Sequence, residues 1–276
     1  MTTAIEQLQT TLNGLGLKSI EARLENLLEQ AAKTEPSYAD FLRDLLGCEV
    51  EARRTRYLRA RLQLAHLPFV KNFDQFDFTF QPSIDERQIR ELRTLRFIHE
   101  ASNVVFLGPP GVGKTHLAVA LGMEAVAHGH NVYFISVPEL LDELATDVQM
   151  NRLGERLNKL RVPTLLILDE MGYTPLDQVA TSFLFQLVSK RYTRGSIIIT
   201  SNKSYMEWGS VFGDEYAAVA IIDRLLHYST TVNIRGESYR LKDKKRAGIF
   251  TVPAAMAPDS EAQVGNLRPA IRRNRS

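Results

Sequence analysis

The chain has 276 residues, enough for one large domain or two modest ones, and its 44% hydrophobic and 24% charged residues are those of a soluble globular protein. A net charge of +2 gives no general attraction for a polyanion, so any basic surface has to be local. One cysteine, Cys48, excludes an internal disulfide and fits a reducing compartment; Met1–Thr10 lacks a signal-peptide pattern and no apolar stretch approaches the ~20 residues of a membrane span, so a cytoplasmic protein with no membrane partner is expected.

The first predicted elements are helices. Leu24, Leu27, Leu28 and Ala31 recur at i, i+3, i+4 and i+7. Pro36-Ser37 breaks the run, and Tyr38–Leu67 resumes it as a long second arm, giving a small all-helical domain over residues 1–69. Phe76, Phe78 and Phe80 then alternate with polar residues, so Phe69–Phe80 reads as extended, and Pro82-Ser83-Ile84-Asp85 closes it and opens another helix.

From Ser102 to about Arg246 short apolar strands alternate with helices: Val104–Leu107, Val132–Ile135, Leu165–Leu168, Ile197–Thr200 and Thr231–Ile234. Right-handed crossovers between them imply an α/β unit, over residues 70–250, with a largely parallel five-stranded sheet covered on both faces. Residues 251–276 carry little large apolar content and end in Arg272, Arg273 and Arg275, the composition of a flexible basic tail.

Gly108-Pro109-Pro110-Gly111-Val112-Gly113-Lys114-Thr115 matches the phosphate-binding loop in full and sits between a strand and the helix His116–Ala127, which His116 opens beside the nucleotide. Glycines let the backbone N–H groups face the phosphates of ATP, Lys114 would reach the β- and γ-phosphates, and the Thr115 hydroxyl would ligate Mg²⁺. Strand Leu165–Leu168 ends in Asp169-Glu170, at the sheet edge where open parallel sheets bind ligands. Asp169 would hold Mg²⁺ through water and Glu170 would be the general base of an ATP hydrolase. Asn202, after strand Ile197–Thr200, is either a turn residue or a group orienting water at the γ-phosphate. Arg224 is either a surface partner of a nearby acid or an arginine finger for a neighbouring subunit.

These residues, with Asp223-Arg224-Leu225, resemble the AAA+ ATPases of the initiator and helicase-loader group. Asn202-Lys203-Ser204-Tyr205-Met206-Glu207-Trp208 and the run Val232–Lys242 are similar, more narrowly, to the IstB-like transposition helper ATPases of bacterial insertion sequences. The similarity covers roughly Ile5 to Arg246. It implies the AAA+ strand order in a three-layer fold and a homo-oligomer with ATP bound between subunits. Arg224 takes the finger position, Asn202 the sensor position, and Arg240 that of a second sensor arginine. Too few residues follow Val232–Ile234 for the full helical lid that usually carries that arginine. It further implies a helper that assembles on double-stranded DNA and recruits or stimulates a partner transposase; a replicative helicase loader is the alternative.

Independent support for DNA lies in Arg53, Arg54, Arg56, Arg59 and Arg61, which spread around a helix instead of forming a stripe, and in Lys242, Lys244, Lys245 and Arg246. Each group reads equally as a solvated surface. Without a base-reading motif, contact with DNA would be largely non-specific. The five phenylalanines of Phe69–Phe80 read as a linker docked on the core, bordering the adenine pocket, and Trp208 reads as structural. A scaffold that uses ATP only as a switch is disfavoured by Glu170.

Overall fold

The computed structural model describes residues 3–242. Four helices come first: α1 (Ala4–Gly14), α2 (Lys18–Glu21), α3 (Leu24–Thr34) and the 27-residue α4 (Tyr38–Leu64). Pro36 separates α3 from α4 as its missing N–H demands, with Glu35 left-handed at the end of α3 and Ser37 capping α4 through the Asp40 N–H. Glu49 ties the bundle together. Its buried carboxylate accepts from the Ser19 N–H at 2.9 Å and pairs with Arg53 and Arg56 at 3.2 and 2.9 Å. Arg61 reaches the Gly129 carbonyl and lies over Tyr57. The arginine run of α4 is thereby divided, because only Arg54 and Arg59 are without a partner among the described residues.

Leu58 and Leu62 on the last turns of α4 pack onto the central unit, followed by Ala65, whose carbonyl accepts the Phe134 N–H at 2.8 Å. The chain leaving α4 therefore covers the free edge of a sheet strand. Phe69–Phe80 is not extended: a 3₁₀ turn, Phe73–Gln75, is followed by tight turns. Local side-chain bonds take the backbone instead, with Asn72 and Gln75 forming a capping box and Asp77 accepting from the Thr79 hydroxyl and the Phe80 N–H.

Beyond α5 (Glu86–Arg93, capped by Asp85) and α6 (Arg96–His99) the strand–helix alternation begins. Its elements are β1 (Asn103–Leu107), α7 (Lys114–Ala127), β2 (Val132–Ser136), α8 (Val137–Gln149), α9 (Leu153–Arg161) and β3 (Leu165–Met171). Then follow α10 (Gln178–Arg191), β4 (Ser196–Ser201), α11 (Tyr205–Trp208), α12 (Glu215–His227) and β5 (Ser229–Asn233). All strands run parallel in the order β2-β3-β4-β1-β5. Alternate residues feed two cores, as a strand's period of two requires. Val105, Leu107, Leu166 and Leu168 pack under α8, α9, α10 and α12, while Val104, Phe106, Leu165 and Ile167 pack under α5, α6 and α7. The result is a three-layer α/β sandwich. After β5 the described residues hold one 3₁₀ turn, Tyr239–Leu241, and no helical lid. Lys244, Lys245, Arg246 and the segment 251–276 lie outside the described residues.

Candidate functional site

Strands β1, β3 and β4 deliver their C-terminal ends to one cavity of about 520 Å³, within the range of small-molecule sites. The loop leaving β1 curls because its glycines adopt positive φ: Gly111 at 82° and Gly113 at 101°. Neither position tolerates a side chain. A Cβ on Gly111 would stand 2.1 Å from the Ser238 hydroxyl oxygen, and one on Gly113 would stand 2.5 Å from the Phe76 ring. Val112 turns its side chain into the core and contributes backbone alone. Gly113 is the left-handed N-cap of α7 and makes no side-chain cap bond, so the first N–H groups of that helix point at the cavity, the arrangement that favours a phosphate.

Lys114 donates to the carbonyls of Gly108 and Pro109 at 2.7 and 2.8 Å, and burial pushes its pKa down to about 8. Asp169 and Glu170 raise that pKa and Arg240 lowers it. The Thr115 hydroxyl lies 2.9 and 3.1 Å from the two oxygens of Asp169. Burial holds the Asp169 carboxyl above the ordinary carboxylate range, against the opposing pull of Thr200, Thr115 and Lys114. A hydroxyl touching a carboxylate at the mouth of a phosphate loop is an all-oxygen donor set, which suits Mg²⁺.

The adjacent acid is aimed by the backbone. Glu170 has φ of 62°, at an irregularity in the β3–β4 register between Leu168 and Met171. Such a residue costs ~1–3 kcal/mol of local strain. At this irregularity Asp169 is buried against the Thr115 hydroxyl while Glu170 is exposed on the cavity wall. Thr200 holds this geometry. Its hydroxyl accepts the Glu170 N–H at 3.0 Å and donates to Asp169 Oδ1. Sequence reasoning missed it, although a threonine ending the apolar run Ile197–Ile199 of a buried strand needs a hydrogen-bond partner. Ser201 braces the next step, donating to the Met171 carbonyl and accepting from the indole of the fully buried Trp208.

Asn202, exposed just past β4, lines the same cavity, as do His116 and Arg240. His116 faces the Asn72 carbonyl through Nε2 at 2.9 Å and meets the Phe76 ring edge-on, and burial lowers its pKa. Phe69 and Phe76 also line the cavity. Arg224 stands apart. It sits on α12 over the Phe185 ring, bonds the Ala220 carbonyl at 3.3 Å, and has no carboxylate partner among the described residues.

A parallel sheet in this order, a glycine loop opening a helix and an acidic strand end define a P-loop nucleotide-binding protein of the AAA+ type. The crystal structure of DnaI matches with a TM-score of 0.53 at 21% identity, over 59% of this chain and 90% of that one, a likeness of fold. More specifically, the chain belongs to the family of IstB-like ATP binding proteins, whose family model matches residues 10–247. It is 48% identical, over 93% of its length and 97% of the relative's, to a Pseudomonas aeruginosa protein of insertion sequence IS21 assigned as ATP-binding. It is 45% identical, over 87% of its length and 96% of the relative's, to the corresponding protein of insertion sequence IS5376 from Geobacillus stearothermophilus. It is thus an ATP-binding AAA+ protein of the insertion-sequence family.

Proposed function

We propose that the chain hydrolyses ATP and, assembled with further copies on double-stranded DNA, recruits or stimulates the transposase of its insertion sequence. The observation that carries the hydrolytic part is the placement of the two adjacent carboxylates, Asp169 on the Thr115 hydroxyl and Glu170, at a positive-φ position, on the cavity wall. The N–H groups of residues 111–115 and the Lys114 ammonium take the phosphates. Thr115 and Asp169 would hold Mg²⁺, which when bound offsets charge on the phosphoryl oxygens. Glu170 accepts a proton from the attacking water, and the Asn202 amide orients that water. Arg240, which lines the same cavity, adds a second positive charge for the phosphates.

Arg224 does not line its own cavity and has no carboxylate partner among the described residues, which supports its service as a finger in the site of a neighbouring copy, favouring a homo-oligomer with ATP at its interfaces. The division into a helical domain over 1–69 and an ATPase domain over 70–250 leaves α4, with exposed Arg54 and Arg59, for DNA phosphates. The insertion-sequence names of the relatives favour transposition over helicase loading.

Steady-state phosphate release tests the chemistry. Glu170→Gln is expected to keep Mg·ATP affinity within about threefold and to lose turnover by ~10²–10⁴-fold, the usual worth of a general base. Wild-type turnover by the variant would contradict this.

A further inference from the structure

The segment 235–242 crosses from the end of β5 back over the phosphate loop, and three rows of contacts hold it there. Ser83 on the linker after α4 donates its hydroxyl to the Arg235 carbonyl at 2.6 Å and accepts the Arg235 N–H at 2.8 Å. Gln81 donates to the Glu237 carbonyl at 2.9 Å. At the far end Lys242 Nζ pairs with Asp77 Oδ2 at 2.8 Å, lying over the rings of Phe80 and Tyr239 at 4.9 and 4.8 Å. Those rings meet edge-on at 5.2 Å. The underside touches the phosphate loop, where the Tyr239 N–H donates to the Gly111 carbonyl at 3.0 Å and Ser238 packs flush on Gly111. Arg240 sits inside this strap and lines the cavity.

We infer that Asp77 and Lys242 are positioning residues for nucleotide binding: their ion pair clasps the strap to the linker and holds Arg240 over the phosphate loop. The inference rests on the nucleotide reading of the cavity. Arg240 lies on a three-residue 3₁₀ turn, and among the described residues no long helix fixes it, so the clasp supplies the order that a helical lid would otherwise provide. Asp77 also lines the cavity, and the Arg240→Ala background separates its clasp with Lys242 from any direct contact with nucleotide. Asp77 Oδ1 is occupied by the Thr79 hydroxyl and the Phe80 N–H, and the Lys242 side chain is only 19% exposed between two rings. Isolated surface pairs contribute little, but cation–π contacts and partial burial strengthen this one. The Lys242 hydrogen bond and the Thr79 hydroxyl hold the Asp77 pKa down to about 2, so the pair persists across the working pH range.

The test is equilibrium binding of Mg·ATP to the full chain carrying Asp77→Asn, Lys242→Met, or the exchanged pair Asp77→Lys with Lys242→Asp, each also made with Arg240→Ala. Each single variant is expected to bind about five- to tenfold more weakly, with turnover at saturating ATP within about threefold of wild type. The exchanged pair is expected to recover affinity to within about threefold, and in the Arg240→Ala background the clasp variants are expected to lose nothing further. Single variants that bind like wild type, or a loss that persists undiminished without Arg240, would overturn the inference. A wild type that binds no Mg·ATP would remove the nucleotide reading and the clasp with it, a pattern distinct from either.

Discussion

At Thr200 one hydroxyl serves two carboxylate-bearing residues, accepting the Glu170 N–H and donating to Asp169. Replacing it with valine keeps the shape and removes both bonds, leaving the part-buried Glu170 N–H without its partner, at up to ~1–3 kcal/mol, and Asp169 Oδ1 with the Thr115 hydroxyl alone. Thr200→Val is expected to lower kcat about 10- to 100-fold with ATP affinity nearly kept, and Thr200→Ser to restore it, measured by phosphate release beside equilibrium binding. Lys114 makes a second residue-scale prediction. Its pKa of about 8 means that it releases its proton above that pH, whereas phosphates at its side would keep it charged. Nucleotide affinity contributed by this charge is therefore complete below about 8 and declines as pH rises through that value, and binding near pH 8.5 takes up a proton. Calorimetry in buffers of different ionisation enthalpy is expected to register that uptake in wild type and its absence in Lys114→Arg. Lys114, Thr115, Asp169 and Glu170 were legible in the sequence because a spacing and a strand end mark them. Thr200 was not, since a threonine in a strand is also an ordinary β-former.

Helix α4 shows what periodicity conveys and what it withholds. Its existence and its start after Pro36 follow from the apolar spacing and the proline, and Arg53 stands i, i+4 from Glu49, but the burial of Glu49 that draws in both Arg53 and Arg56 comes with the docking of α2 at Ser19. Arg54 and Arg59 remain, exposed and without a partner among the described residues. The double variant Arg54→Ala/Arg59→Ala is expected to weaken duplex binding alike on all sequences and to reduce the slope of log affinity against log salt by about 2, as two lost phosphate contacts would. Titration of fluorescent duplexes at several salt concentrations reads it; an unchanged slope would assign DNA contact elsewhere. The strands were legible to within two residues at each end, except for β3, because runs such as Leu165–Leu168 suit a strand buried on both faces. β3 continues to Met171 through the Glu170 bulge, which no pattern announced. The phenylalanine stretch misled because alternation alone cannot distinguish a strand from turns that half-bury every second residue.

Taken whole, the molecule has a cavity lined by its phosphate loop, Glu170, Asn202 and Arg240, with Asp169 buried behind Thr115, and a single arginine of the expected set, Arg224, outside it. The strand order and the family were readable from motifs; the strap over the phosphate loop was not, since it joins residues more than 150 positions apart, as in the 156-residue separation of Gln81 and Glu237. The most direct test of the proposed shared site pairs Glu170 and Arg224 across copies. Glu170→Gln and Arg224→Ala are each expected to be nearly inactive alone. Mixed one to one, they are expected to recover about a quarter of wild-type phosphate release, because one interface in four then pairs an intact Glu170 with an intact Arg224. No recovery on mixing, or full turnover by Arg224→Ala alone, would contradict a site completed by a second copy.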